Sequence, residues 1–318
     1  MLRELHNLRT FDSSNLAVGS LPHQFFDHNE RLQTVTFISN KILRNIPSVQ
    51  RTRVEYMRLQ ANSQLRLHEK SCYVRAATLR KLALVANPKV TALPASFLGP
   101  YSMEDVIISD NAALSLVHKE AFAGVSMKRL VIQVANASFQ LEEGAFEKSN
   151  KILSLAISGC DVGTLQARGA LFAGLCDTEH VTLVGSGKAH QDVNGSTSVW
   201  PSNMFDELRG VRSLELRKQA VRSAAPLLFS KLTRLESLSL VALNNMGVSG
   251  EHGSLFAESN VHLNTLKIVS MGTLSRIQPV FLRAWDGFVC STSAETTPTS
   301  ESSHWSSTAL ATGTLSLR

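Results

Sequence analysis

The chain has 318 residues, 43% of them apolar, 18% charged and 6% aromatic, with a formal net charge of +6. That apolar share is enough to fill a packed core and excludes a disordered polyelectrolyte, while the lack of any run of about eighteen apolar residues excludes a spanning helix. The basic residues are dispersed in small groups such as Arg80-Lys81, Lys128-Arg129 and Arg217-Lys218, without interleaved aromatics, which argues against nucleic acid as a partner.

Read from the N-terminus, short apolar segments of the form L-x-x-L-x-L-x-x-N/C-x-L return again and again. A degenerate pair, Leu8 and Phe11, opens the series, and a clean copy follows at Leu32, Val35, Phe37, Asn40 and Ile42. Then come Val54, Met57, Leu59, Asn62; Leu79, Leu82, Leu84, Asn87; and Met103, Val106, Ile108, Asn111. Next are Met127, Leu130, Ile132, and then Ile152, Leu155, Ile157, Cys160, Val162. A weaker unit starting at 178 holds Val181 and Leu183. The last three are Val211, Leu214, Leu216, Val221; Leu235, Leu238, Leu240; and Leu263, Leu266, Ile268. Eight of the ten intervals between these starts fall between 22 and 26 residues. A phenylalanine (Phe26, Phe97, Phe122, Phe146, Phe172, Phe205, Phe229, Phe256) precedes eight of the starts by five to seven residues, and Tyr73 takes that place once more. A period of this length predicts a stacked solenoid of about eleven repeats over residues 1–290, each burying its apolar face against its neighbours.

The last two leucines of each segment alternate, as a short strand with one buried face requires, so stacked units should pair in parallel as one sheet. The Asn or Cys three residues on is expected to turn inward and bond backbone groups freed where the strand bends away. Later units place Ala135, Ser186, Gln219, Leu243 and Met271 there, which predicts a looser ladder in the second half. The phenylalanines are expected to fill the interior on the return path.

With these residues the chain resembles the leucine-rich repeat family. Ala121-Phe122-Ala-Gly124, Gly144-Ala-Phe146, Leu171-Phe172-Ala-Gly174-Leu175 and Leu228-Phe229-Ser-Lys-Leu232 are similar to the phenylalanine-bearing 24-residue type of extracellular animal ectodomains. The resemblance implies an α/β repeat solenoid, a horseshoe with a concave parallel β-sheet and short irregular or 3-10 convex segments. It implies adhesion or recognition at the cell surface or in secretion, with a protein ligand on the concave face. Neither end carries a cysteine-rich cap, and Met1-Leu-Arg-Glu-Leu-His6 lacks the apolar core of a signal peptide. The extracellular expectation therefore goes with an N-terminally truncated piece of a longer protein. The alternatives are a cytoplasmic scaffold or adaptor, or a non-catalytic fragment of a larger receptor or enzyme.

A loop insertion is expected near residues 185–203, where the interval lengthens to 33 residues. Its Gly185-Ser-Gly187-Lys188 is not a phosphate loop, since Thr182 and Ala189 replace the required Gly and Ser/Thr. Fifteen of the last 28 residues are Ser or Thr, so 291–318 is expected to be a disordered tail. Cys72, Cys160, Cys176 and Cys290 give no metal spacing; Cys160 is expected as a buried thiol, and a Cys160–Cys176 bridge is conceivable. Asn136-Ala-Ser138 and Asn194-Gly-Ser196 are glycosylation sites if the chain is secreted.

No nucleophile, metal or dinucleotide motif occurs, and His23/His28 and His180/His190 lack ligand spacing, so no enzyme activity, cofactor or metal is expected. Binding is expected on the solvent-facing strand positions, where Thr36, Arg58, Ala83, Ile107, Val131 and Ala156 form a central row with a run of apolar residues. The candidate partner-binding set is Tyr56, Arg58, Ala83, Val85, Glu104, Asp105, Ile107, Lys128, Arg129 and Val131. Its occupant is expected to be a protein or a second copy of the chain.

Overall fold

The computed structural model describes residues 2–67, 76–136, 139–160, 162, 171–186, 199–219, 221, 223–243, 247–248, 255–257, 259–269, 291–292 and 315–316. The chain divides into two compact units, residues 1–160 with 168–175, and residues 161–167 with 176–318.

In the first unit the strands are β1 (Thr10–Ser14), β2 (Thr34–Ile38), β3 (Tyr56–Gln60), β4 (Lys81–Val85) and β5 (Ala92–Leu93). They continue as β6 (Ser102–Ser109), β7 (Leu116–Val117), β8 (Ser126–Gln133), β9 (Gln140–Leu141) and β10 (Lys151–Ser158). β1, β2, β3, β4, β6, β8 and β10 pair in that order, each parallel to the next. Their register places Phe11, Val35, Met57, Leu82, Val106, Leu130 and Leu155 in one row across the sheet. Successive repeats thus stack as a parallel-strand solenoid. Alternation sets the inside: Val35, Met57, Leu59, Leu84, Val106, Ile108, Leu130 and Ile132 are fully buried, and the residues between them face out. β6, β8 and β10 run longer than the short strands expected, because the ladder also takes in Met103, Met127 and Ile152.

Each of the early strands ends in a residue with left-handed backbone. Ser39, Ala61, Ala86 and Asp110 have φ between 54° and 57°. The first three donate their N–H groups to the end of the next strand, at the carbonyls of Gln60, Val85 and Ser109, 2.9–3.0 Å away. That bend aims the following side chain inward, and there the asparagine ladder forms. The Asn62 Oδ1 accepts from the backbone N–H and the Nδ2 of Asn40, at 3.2 and 3.0 Å. The Asn87 Oδ1 accepts in the same way from Asn62 at 3.0 and 3.1 Å, and the Asn111 Oδ1 accepts the Asn87 N–H at 2.9 Å. All four asparagines are buried.

Past Asn111 the ladder breaks, as the sequence suggested, but not at the residue expected. Ala135 is exposed and Val134 is buried in its stead, with its N–H bonded to the Ser158 carbonyl at 2.7 Å. With no amide side chain to bond the backbone, the turn is free to put the larger apolar residue inside. Gly159 restores the left-handed bend at φ 88°, and Cys160 behind it is buried. A Cβ on residue 159 would lie 1.8 Å from the Val134 carbonyl oxygen. Gly159→Ala is therefore expected to cost about 2 kcal/mol or more in urea unfolding, from left-handed strain and steric overlap together.

On the return side Phe26, Phe97, Phe122, Phe146 and Phe172 are all buried, and the Phe122 and Phe146 rings stack at 5.5 Å with an interplanar angle of 9°. Tyr73 lies outside the described residues. Gly174, two residues after Phe172, takes φ 90° where a Cβ would meet the Phe146 carbonyl oxygen at 2.1 Å, which explains the Phe-Ala-Gly pattern. The α/β expectation is corrected here. Among the described residues no complete helix forms; the return path consists of turns and of a second, narrow parallel sheet, β5-β7-β9. Too few residues separate the phenylalanine turn from the next strand for a helix to close several of its own hydrogen bonds.

The second unit begins with β11 (His180–Val184), β12 (Val199–Trp200), β13 (Ser213–Arg217) and β14 (Ser223–Ala224). It continues with β15 (Ser237–Val241), β16 (Gly247–Val248), β17 (Thr265–Val269), β18 (Ser291–Thr292) and β19 (Leu315–Ser316). β11, β13, β15 and β17 pair in parallel, and β12, β14 and β16 form the narrow return sheet. Lys218 and Ala242 take the left-handed bend, at φ 50° and 52°. Gln219 and Leu243 follow them into the core; Gln219 Oε1 accepts the Val162 N–H at 2.8 Å, while its buried Nε2 has no partner. Phe205 and Phe229 stack at 5.7 Å, and Trp200 meets Phe205 edge-on at 6.0 Å. β18 and β19 pair antiparallel. Residues 187–198 of the insertion, Met271 and Cys290 lie outside the described residues, as does Cys72. Among the described residues no helix is long and apolar enough to cross a membrane.

A polar core position that the sequence pattern missed closes two of the turns. Asn29 donates from Nδ2 to the carbonyls of Leu2 and Leu5 at 3.0 and 2.9 Å. In the second unit Asn260 donates to the carbonyls of Phe229 and Leu232 and accepts the Ala257 N–H. Both are fully buried.

Candidate ligand-binding face

The candidate set lies on the long-strand sheet of the first unit: strand alternation turns Tyr56, Arg58, Ala83, Val85, Ile107 and Val131 outward, while Glu104-Asp105 and Lys128-Arg129 are adjacent pairs between the buried Met103 and Val106 and the buried Met127 and Leu130, where the alternation is interrupted. Tyr56 and Arg58 come from β3, Ala83 and Val85 from β4, Glu104, Asp105 and Ile107 from β6, and Lys128, Arg129 and Val131 from β8. The register groups them into rows. Tyr56, Lys81, Asp105, Arg129 and Ser154 oppose one another in one row, and Arg58, Ala83, Ile107, Val131 and Ala156 in the next. A third row holds Gln60, Val85 and Ser109. Ala83, Val85, Ile107, Val131 and Ala156 are half-buried, so an apolar strip runs across adjacent strands.

Charged side chains flank this strip and pair across strands. Glu104 sits among three cations, with Arg80 at 3.6 Å and Lys81 and Lys128 each at 3.9 Å. Arg129 lies 3.8 Å from Asp105. Arg80–Glu104, Glu104–Lys128 and Asp105–Arg129 are each one repeat apart, since a fixed period brings equivalent positions of neighbouring turns side by side. These side chains are 29% to 71% exposed, so each pair is worth at most about 1 kcal/mol. What they do is hold the flanking charges in a fixed pattern beside the apolar strip. Sequence reasoning missed Arg80 and Lys81 as members of this fringe, because only the strand register shows that they face Glu104. It likewise missed Asp12, which accepts the Thr36 hydroxyl at the polar end of the central row.

Of the two sequon asparagines, Asn136 is half-buried and its carbonyl accepts the Phe139 N–H at 3.2 Å, while Asn194 lies outside the described residues. Cys160 is buried, as expected, and Cys176 is exposed. Among the described residues no group of three or more His, Cys, Asp or Glu side chains gathers as a metal site. The outward row of the second unit is polar, with Thr182, Glu215, Ser239 and Lys267 in line, and Arg217 bridges Glu215 at 3.0 Å. In comparisons with known proteins no family model matches the chain, and no curated protein matches it.

Proposed function

We propose that this chain is a leucine-rich-repeat-type solenoid that binds another protein through the outward, concave face of its long-strand sheet, as a cell-surface or secreted recognition module. The observation that carries the reading is the half-buried apolar row Ala83, Ile107, Val131 and Ala156 on a face the fold does not itself cover. Apolar side chains in a contiguous strip on an open sheet favour a partner, and a charged rim suits selection among partners. The exposed thiol of Cys176 favours a second reading, an intracellular scaffold that uses the same face, since reduced cysteines persist in the cytosol.

The two readings are separated by presenting the full chain, tetramerised on streptavidin, to an array of secreted and cell-surface ectodomains and to a matched set of cytosolic domains. Saturable binding confined to the ectodomains is expected. Saturable binding confined to the cytosolic set would replace the extracellular reading with the scaffold, and binding to neither would remove the recognition proposal.

A further inference from the structure

We infer that a second copy of the chain packs on this face, about a two-fold axis that runs along the strands between β6 and β8. The inference rests on the reading that the face binds protein, and names the partner. It is carried by the order of charged and apolar residues from strand to strand. β6 holds Glu104 and Asp105, and β8 holds Lys128 and Arg129, joined within the chain by ion pairs of 3.9 and 3.8 Å. A two-fold axis between these strands lays β6 of each copy over β8 of the other and keeps every row over its own row. Glu104 then meets Lys128 of the second copy, and Asp105 meets its Arg129. Symmetry makes each of these contacts twice. In the next row Ile107 meets Val131 and Ala83 meets Ala156, so the apolar strip covers itself.

Other symmetric arrangements fit less well. An axis across the strands would reverse the rows and set the charged one over Val85 and Ser109, which offer no counter-charge. An axis between β4 and β6 would lay Val131 on the charged Arg58. With the axis between β6 and β8, Lys81 comes over Ser154 and not over another cation. The return sheet supports the approach of two such faces. β5, β7 and β9 pair in parallel on the return side of β4, β6 and β8, so both sides keep the strand spacing of about 4.8 Å. A stack spaced equally on both sides curves little over these turns, and the strip can meet a copy of itself. The strip crosses four strands, about 14 Å from β4 to β10, which is the scale of a transient contact. Pairing is therefore expected at roughly 10–100 μM. Other proteins bound through the same face should compete with it.

The test is analytical ultracentrifugation of the full chain at about 0.15 M salt, from roughly 2 to 300 μM. The wild type should pass from monomer to dimer across this range, and Ile107→Arg/Val131→Arg should stay monomeric. Glu104→Lys and Lys128→Glu should each weaken self-association at least about tenfold, because each reversal acts at two contacts. Mixed one to one, these two variants should form a heterodimer about as readily as the wild type dimerises. One contact then keeps its native charges and the other has both reversed. The double variant Glu104→Lys/Lys128→Glu should dimerise by itself for the same reason. Circular dichroism and urea midpoints establish that the variants are folded. A wild type that stays monomeric throughout, or a dimer that survives Ile107→Arg/Val131→Arg, would overturn the inference. So would single reversals without effect, or a mixture that fails to restore pairing. The ectodomain array reads the broader proposal separately: a ligand of this face without a dimer would leave protein binding intact, and the absence of both would count against both.

Discussion

Phe146→Ala is expected to remove about 3–5 kcal/mol of unfolding free energy, read as a lowered urea midpoint with little change in slope. Phe146 is fully buried and stacks on Phe122, one turn away, at 5.5 Å and 9°. A solenoid has no central core in which such a loss is shared; each turn is held only by its neighbours. A cavity at Phe146 thus loosens the turns on either side of it, and the close approach of Gly174 to the Phe146 carbonyl loses its backing. Phe146→Leu, which keeps most of the volume, should recover more than half of the loss. If Phe146→Ala costs less than about 1 kcal/mol, the aromatic spine does not hold the turns together.

Asn62→Ala should cost about 2–5 kcal/mol, although it removes far less volume. The Asn40 N–H would lose its acceptor, and the Phe37 carbonyl would lose the Nδ2 donor that now sits 3.0 Å away, both in the interior. Asn62→Asp should be worse. It sets a buried carboxylate against the Phe37 carbonyl and the Asn87 Oδ1 where an amide donor now bonds both. Native-state hydrogen exchange gives an independent reading: the Asn40 amide should lose most of its protection in Asn62→Ala. Unchanged protection there would mean that the ladder follows the fold without supporting it.

The period and the alternation within it were legible because each has a physical counterpart that acts on side-chain type. Leu82 and Leu84 must be apolar to face inward, and the Asn87 side chain must be both donor, to the Leu59 carbonyl, and acceptor, from Asn62, to bond the turns beside it. Even the degenerate opening pair at Leu8 and Phe11 was legible, and β1 pairs with β2 in register with Phe11 opposite Val35. The narrow return sheets were not, since a two-residue strand such as Ala92–Leu93 has no periodicity to display. The exchange of Val134 for Ala135 was hidden for a related reason. Without an amide at the ladder position nothing in the sequence fixes where the bend falls, and burial of the larger residue decides it.

On the face, the apolar row was legible from strand alternation alone. The ion-pair fringe became readable only with the register, because Glu104 finds Arg80 and Lys128 across strands.

The account's central claim is that the row from Ala83 to Ala156 serves recognition and not folding. It is tested most directly by titrating an ectodomain captured on the array against the wild-type chain, the outward variant Ile107→Arg/Val131→Arg, and Gln140→Arg on the exposed return strand β9. The account predicts that the outward variant keeps its urea midpoint and loses about a hundredfold or more in affinity, as expected when charge enters the centre of an interface, while Gln140→Arg binds like the wild type. Unchanged affinity in the outward variant, or loss confined to Gln140→Arg, would contradict it.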